Sequence, residues 1–184
     1  MVTILGISGS LRARSLNTAL LEAMASLTAD AVSIDSATLH GIPLYDGDVE
    51  AADGIPPAVA ALKERIASAD GLLLVTPEYN NAMPGVFKNA IDWLSRPPKD
   101  SARIFLGRPV AVVGASPGGF GTILAQNAWL PVLRTLGTRP WFGPRLAVSR
   151  AGSVFDAEGA LQDDQVREQI RTFVAGFAAF IERG

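Results

Sequence analysis

Short apolar runs and amphipathic stretches alternate along this chain. Four runs are continuous in apolar and β-branched residues, which is typical of strands buried on both faces of a sheet. These runs predict strands at residues 2–7, 31–34, 71–76 and 109–113. A weaker run predicts a fifth strand at residues 144–149.

Between these runs, apolar residues recur every three or four positions, which predicts helices with one apolar face. The predicted helices span residues 16–27, 57–67, 85–94, 121–136 and 165–181. Ser15 is a suitable N-cap for the first helix, and Pro131 predicts a kink or break in the fourth. Two stretches rich in proline and glycine, residues 41–57 and 96–109, are predicted to be loops.

The repeated alternation of strand and helix predicts an α/β fold, with a five-stranded parallel sheet and helices on both faces. The strand order 2-1-3-4-5 is the simplest doubly wound arrangement that fits. A length of 184 residues suits one domain, so we expect residues 1–184 to form a single unit.

The composition of the chain excludes several classes of partner and of catalytic or metal site. With 16 basic and 18 acidic side chains the net charge is −2, which argues against a nucleic-acid partner. The chain has no cysteine, so thiol chemistry and cysteine-ligated metals are excluded, and a reducing cytoplasm is the expected location. The single histidine, His40, leaves no two-histidine metal site, and no apolar run is long enough to cross a membrane. If the protein is an enzyme, we expect a bound cofactor to perform the difficult step.

Ligands of such sheets bind beyond the carboxyl ends of the strands, so the loops there are the candidate site. The loop after the first strand carries Ser10, Arg12, Ser15 and Asn17 and leads into a helix. A helix N-terminus with neutral donors and one arginine favours an anion such as a terminal phosphate. The first lysine is Lys63, so this loop is not a Walker A motif. The alternative is that the serines only cap the helix.

Two further loops have unusual sequences. In the loop after the third strand, Pro77 and Pro84 bracket Tyr79 and Asn80, so a stiff backbone is expected there. The loop after the fourth strand, residues 114–121, is rich in glycine and would let a ligand approach the backbone closely. Ordinary turns remain an alternative for each loop, but all three are expected at the same edge of one sheet.

Two sequence blocks resemble the NADPH-dependent FMN reductase family. The first is Gly9-Ser10-Leu11-Arg12 with Ser15 and Asn17. The second begins with Pro77-Glu78-Tyr79-Asn80 and continues through Pro84-Gly85 to Lys88-Asn89-Ala90-Ile91-Asp92-Trp93. More narrowly, the chain resembles the bacterial chromate, quinone and azo-dye reductases of that family.

The resemblance implies a flavodoxin-like fold that binds FMN non-covalently, with NADPH or NADH as reductant. It implies a ping-pong cycle in which quinones, chromate or azo compounds accept two electrons. The cofactor-binding residues that it implies near the 5′-phosphate are Ser10, Leu11, Arg12, Ser15, Leu16 and Asn17. Those that it implies along the ring are Pro77, Glu78, Tyr79, Asn80, Ser116 and Gly119. The flavin carries the redox chemistry, so we assign no catalytic side chain and expect His40 to have no catalytic role.

Two alternatives stay open at this stage: a flavodoxin-type one-electron carrier and a phosphate-binding regulatory domain without a cofactor. One-electron carriers are usually strongly acidic, and a net charge of −2 argues against that class. The resemblance also implies a homodimer through the helix that contains Lys88, or a tetramer. Leu124 occupies the position where many relatives carry an arginine.

Overall fold

The computed structural model describes all residues, 1–184, and it contains one parallel sheet between two helical layers. The strands are β1 (Val2–Ser8), β2 (Val32–Ala37), β3 (Gly71–Val75), β4 (Pro109–Ala115), β5 (Arg139–Pro140) and β6 (Ala147–Val148). The helices are α1 (Leu16–Thr28), α2 (Gly47–Asp53), α3 (Pro57–Ser68), α4 (Gly85–Leu94), α5 (Pro98–Phe105), α6 (Ile123–Thr135) and α7 (Asp164–Glu182). The order β2-β1-β3-β4-β5 confirms the predicted doubly wound, flavodoxin-like topology.

The sheet is buried on both faces because alternate strand residues point into two separate cores. Leu72 and Leu74 of β3 belong to one core, while Leu73 and Val75 belong to the other. The first core is covered by α3, α4, α5 and α6, and the second by α1 and α7. This division explains why the strand sequences are continuously apolar instead of alternating.

Two of the predicted loops contain short helices, so those predictions were wrong. Helix α2 lies within residues 41–57 and α5 within residues 96–109. Helix α2 has no buried residue and is capped by Asp46, so it lacks the apolar periodicity that reveals a helix. Helix α5 buries only Ile104 and Phe105, at its last turn.

The fifth strand differs from the prediction because it is divided in two. Strand β5 pairs with the start of β4, and β6 pairs with its end. The predicted strand at residues 144–149 is therefore reduced to β6, and β5 was missed. Residues 141–146 leave the sheet between them, and we call this stretch the edge segment.

Helix α6 continues through Pro131, although a kink or break was predicted there. Proline removes the bond that its N–H would donate to the carbonyl of Asn127. Pro131 and Asn127 are both exposed, so water can satisfy the free carbonyl and the helix continues. No helix of the structure combines the length and apolarity that crossing a bilayer requires.

Candidate functional site

Three loops meet at the carboxyl edge of the sheet, where β1, β3 and β4 are adjacent. We call them the β1 loop (residues 9–15), the β3 loop (residues 76–84) and the β4 loop (residues 116–122). Gly9 of the β1 loop donates its N–H to the carbonyl of Val75 at 2.9 Å, and Thr76 donates to Val113 at 2.8 Å. These bonds extend the sheet pairing and fix where each loop starts.

The β1 loop presents a helix N-terminus together with hydroxyl groups. Ser15 caps α1 as predicted, because its Oγ accepts from the N–H groups of Asn17 and Thr18 at 3.2 Å. The Ser10 Oγ accepts from the N–H of Arg12 at 3.3 Å. The Arg12 side chain is exposed and pairs with no carboxylate of the chain, so its charge is available to an anion.

Gly9 is required for the close packing of the β1 loop against its neighbours. A Cβ atom at Gly9 would lie 2.2 Å from the Cδ1 atom of Phe87 and 3.0 Å from the Cδ of Pro77. Phe87 is fully buried at the start of α4, where it packs edge-on against Trp129 of α6. The β1 loop therefore rests directly on the β3 loop and its following helix.

Asn17 connects the β1 loop to the end of β4. Its Nδ2 donates to the carbonyl of Ala115 and its Oδ1 accepts the N–H of the same residue, both at 2.9 Å. The side chain is buried, so both bonds form away from water. Sequence reasoning assigned Asn17 to phosphate binding and missed this structural role, for which a polar residue in the first turn of α1 was the only signal.

The β3 loop contains a tight turn at Tyr79–Ala82. The backbone N–H groups of Tyr79 and Ala82 donate to each other's carbonyl at 3.0 and 3.1 Å. Asn80 and Asn81 have φ angles of 51° and 62°, a left-handed pair that defines a type I′ turn and that asparagine tolerates well. The predicted stiffness of this loop therefore comes from the turn as well as from the prolines.

Glu78 joins the β3 loop to the N-terminus of α6. Its Oε2 accepts from the N–H groups of Leu124 and Ala125 at 2.9 and 3.0 Å. The N-cap residue Thr122 makes no side-chain capping bond, so Glu78 takes the place of a local cap. A carboxylate here also interacts favourably with the positive end of the helix dipole.

The β4 loop is shaped by Ser116 and by open space above Gly119. Ser116 donates its N–H to Val148 of β6 at 2.9 Å, and its Oγ accepts from Gly118 at 3.1 Å. A Cβ atom at Gly119 would meet no atom within 4 Å. The protein itself therefore leaves the space beside this glycine free for a ligand.

The three loops enclose one cleft of about 60 Å³. Its lining contains most of the predicted cofactor residues: Ser10, Arg12, Ser15, Leu16, Asn17, Pro77, Glu78, Tyr79 and Ser116. Leu11, Asn80 and Gly119 do not line this cleft, although they belong to the same loops. Ala115 and Pro117 also line it and were missed, because neither has a side chain that indicates binding.

A polar cluster joins the loop before α2 to the second half of α4. The carbonyl of Pro43 accepts from Asn89 Nδ2 at 2.8 Å and from Trp93 Nε1 at 2.9 Å. Arg96 donates to Glu50 at 2.9 Å and lowers the pKa of that carboxyl below its usual value. These contacts hold the loop that precedes α2 against α4.

Tyr45 and His40 also have structural partners. The Tyr45 hydroxyl donates to Glu50 at 2.9 Å, which raises the pKa of the phenol. The His40 ring lies 3.2 Å from the carbonyl of Leu11 and 3.1 Å from the Thr38 hydroxyl, so it supports the β1 loop from outside.

The model of the NADPH-dependent FMN reductase family matches residues 2–153. The chain belongs to this family. It is an FMN-dependent NAD(P)H oxidoreductase. The chain is 46% identical to an NAD(P)H-dependent FMN reductase of Pseudomonas aeruginosa, over 99% of this chain and 96% of the relative. It is 40% identical to a 2-hydroxy-1,4-benzoquinone reductase of a Burkholderia species, over 94% of this chain and 92% of the relative.

A solved structure of the same architecture is FerB of Paracoccus denitrificans, described as a flavoenzyme NAD(P)H:(acceptor) oxidoreductase. It superposes with a TM-score of 0.88 at 33% identity, covering 100% of this chain and 98% of that one. The cleft of this FMN reductase has the donor set that the cofactor needs. Hydroxyls, a helix N-terminus and a free arginine suit a phosphate. Outside this cleft, the open space beside Gly119 of the β4 loop leaves room for a flat ring.

Proposed function

We propose that this enzyme reduces quinones, with chromate and azo compounds as further acceptors, by a two-electron ping-pong cycle. The convergence of three loops on one cleft carries this proposal, because the cleft offers an anion site at one end and open space at the other. When bound, FMN takes electrons from NAD(P)H and passes them to the acceptor.

The enclosed part of the cleft holds the phosphate in this proposal. Its volume of about 60 Å³ suits a phosphate group and not a whole flavin. Ser10, Ser15 and Arg12 supply side-chain donors, while Leu11, Leu16 and Asn17 contribute the backbone of the loop and of the first helical turn. Two negative charges at the N-terminus of α1 are stabilised by the helix dipole and by the arginine.

The ring would be held outside the enclosed part, by the β3 and β4 loops. Pro77-Glu78-Tyr79-Asn80, whose backbone is held by the type I′ turn and by the Glu78 bonds to α6, would hold it on one side. Ser116 and Gly119 would hold it on the other side. Tyr79 is 46% exposed, so an aromatic face is available to the ring or to a flat acceptor.

Quinones are the acceptor class that the relatives support best. Relatives at 33–40% identity are named quinone reductases or a benzoquinone reductase. A groove bordered by an exposed tyrosine and a glycine-rich loop accepts flat oxidants, and it needs no side-chain acid or base. The chain's small-molecule acceptor therefore reaches the cofactor without a catalytic residue.

We also propose a homodimer that packs through α4. Ile91 and Asp92 of α4 line a groove with Pro131 and Val132 of α6. Leu124 and Leu130 on α6 are both exposed apolar residues, at 42% and 39%. Leu124 replaces the arginine of many relatives, so a tetramer built on that arginine is not part of this proposal.

Steady-state kinetics test the proposed reaction. The FMN-loaded enzyme should oxidise NADPH faster when 1,4-benzoquinone is added, with parallel double-reciprocal lines as each substrate is varied. Intersecting lines, or NADPH oxidation that the quinone does not stimulate, would contradict the ping-pong quinone reductase. A one-electron carrier would instead need a partner protein to turn over, and the net charge of −2 does not favour such docking.

A further inference from the structure

A gap in the pairing of β4 lies away from the flavin cleft, between α6 and the edge segment. The cavity there is about 190 Å³, and its lining shares no residue with the flavin cleft. We propose that it is a second small-molecule site, and that it takes a one-ring aromatic acid carrying a phenolic hydroxyl. Three features of the cavity support this proposal: the Gln126 amide, an unpaired stretch of β4 and the free cation of Arg145.

Gln126 is a mostly buried residue that supplies an unpartnered hydrogen-bond acceptor to the cavity. It is only 7% exposed and lines the cavity from the first turn of α6. Its Nε2 donates to the carbonyl of Leu146 at 3.0 Å and to the Thr122 hydroxyl at 3.2 Å. The Leu146 carbonyl can only accept, so the amide orientation is fixed with Oε1 free of any protein partner. A ligand hydroxyl in the cavity can therefore donate to this oxygen.

The backbone of Val112 in β4 has no strand partner on the side of β5 and β6. The pairing of β4 with β5 ends at Val110 and Pro140, and pairing with β6 begins only at Gly114 and Ala147. The edge segment leaves the sheet between these two points. The Val110 carbonyl accepts from the Trp141 N–H, and the Gly114 N–H donates to the Leu146 carbonyl, so both residues direct their backbone groups toward the edge segment. Val112 lies midway between them, and its N–H and carbonyl therefore point to the same side of the strand. Val112 lines the cavity, and its backbone groups have no strand partner there.

The rest of the lining is apolar, apart from Asn127 and Arg145. Trp141 and Phe142 of the edge segment and Leu130 of α6 are among the apolar residues that line the cavity. Arg145 lies at the exposed side and forms no ion pair within the chain. A cavity of about 150 Å³ with apolar walls holds benzene, so this cavity has room for one aromatic ring.

These features define the ligand chemically. The ring packs between the aromatic residues and Leu130, and a phenolic hydroxyl donates to Gln126 Oε1. A carboxylate on the opposite side of the ring pairs with Arg145. Aliphatic acids lack the ring, and dinucleotides are too large for the volume.

The test uses the FMN-loaded enzyme and 4-hydroxybenzoate, with 4-methylbenzoate as the matched probe that lacks the donor. Binding is measured by isothermal titration and by saturation-transfer NMR. We expect saturable binding of 4-hydroxybenzoate that Gln126→Leu weakens about tenfold, while 4-methylbenzoate changes less than about twofold. Arg145→Gln should weaken both acids. Gln169→Leu makes the same change on the exposed face of α7 and should weaken neither.

Leu130→Trp keeps the test decisive if Gln126→Leu does not fold. Leu130 is partly exposed and makes no hydrogen bond to the edge segment, so the larger side chain can fill the cavity and should abolish binding of both probes. The proposal is overturned if neither probe binds saturably, or if Gln126→Leu and Leu130→Trp leave binding unchanged. It is also overturned if the probe shifts the flavin absorption and is displaced by quinone, because the probe would then occupy the flavin cleft.

Discussion

At the scale of single residues, the cleft contains two kinds of side chain: those already bonded to the protein backbone and those free to bind a ligand. Asn17 and Ser15 are already bonded to backbone groups of the protein. Arg12 has no such partner, and the space beside Gly119 is empty. The ligand contacts of highest specificity are therefore expected at Arg12 and at Gly119.

Arg12→Ala should weaken FMN binding and leave riboflavin binding nearly unchanged. A charge-assisted hydrogen bond contributes about 1.5–3 kcal/mol, which corresponds to a loss of about 10- to 150-fold in affinity. Fluorescence titration of the apoprotein with each flavin measures both effects. Arg14→Ala is the control, since Arg14 is a neighbouring exposed arginine. An equal loss for riboflavin would show that Arg12 does not contact the phosphate.

Gly119→Val should weaken both flavins without lowering the melting temperature. A Cβ atom at this position meets no protein atom within 4 Å, so we expect the fold to tolerate the added side chain, which would occupy space that the ring needs. Overpacking costs about 1–3 kcal/mol, which predicts a loss of about tenfold or more. Gly152→Val is the control, because a Cβ atom there also meets nothing within 4 Å. Unchanged flavin affinity in Gly119→Val would place the ring elsewhere.

Sequence reasoning located the three loops but could not assign the bonds within them. Serine before an apolar helical pattern is a recognisable cap, so Ser15 was found. The contacts of Asn17 and Glu78 join residues 98 and 46 or more positions apart, and such partners follow from the packed fold and not from local sequence. The left-handed pair Asn80 and Asn81 was visible only as two adjacent asparagines.

At the scale of elements, the cleft depends on connections between loops that come from different strands. Asn17 joins α1 to the end of β4, and Glu78 joins the β3 loop to α6. Gly9 allows the β1 loop to pack on Phe87 of α4. The loops therefore hold one another in place before any ligand binds, which reduces the entropy lost on binding.

Glu78→Ala should destabilise the protein by about 1–2 kcal/mol, because the two N–H groups at the start of α6 lose their cap. FMN and riboflavin affinities should fall together, since the β3 loop serves the ring and not the phosphate. Glu78→Gln keeps an oxygen that can accept the same bonds and should recover much of both losses. Thermal melting and flavin titration are the measurements. A loss confined to FMN would contradict this role.

Short elements were the ones that sequence reasoning failed to predict. Helix α2 has no buried residue, and β5 has only two residues, so neither carries an apolar period. The longer strands and helices bury one or both faces and were predicted within a few residues. Strand β5 is held by its position against β4 and cannot be derived from its own two residues.

At the scale of the whole molecule, the layer of α3 and α5 contains an ion pair between a buried lysine and a partly exposed aspartate. Lys63 of α3 is 3% exposed and donates to Asp100 of α5 at 3.0 Å and to the carbonyl of Arg96. Arg103 also donates to Asp100, at 2.6 Å. The bonds from Arg103 and Lys63 lower the pKa of the Asp100 carboxyl.

Acid should therefore remove part of the stability through Asp100. Its pKa is lower in the folded protein than in the unfolded chain, so its contribution is complete above the unfolded value of about 3.9 and is lost as the pH falls through the folded value. Asp100→Asn leaves Lys63 buried without a charged partner and should cost about 2–3 kcal/mol at neutral pH, because Asp100 is partly exposed. Urea denaturation between pH 7 and about pH 3 tests both statements.

The control for this measurement is Glu168→Gln, which removes an exposed pair with Arg171 on α7. Its effect should be below about 1 kcal/mol and nearly independent of pH. If Asp100→Asn costs no more than this control, or if its stability falls with acid as steeply as that of the wild type, Asp100 does not have the stabilising role assigned to it.

The visible spectrum of the purified protein, recorded before and after anaerobic addition of NADPH, tests the central claim most directly. Three loops that form one phosphate-and-ring cleft predict a yellow protein with one FMN per chain, bleached by NADPH and restored by 1,4-benzoquinone. A colourless protein that added FMN does not saturate would contradict the account.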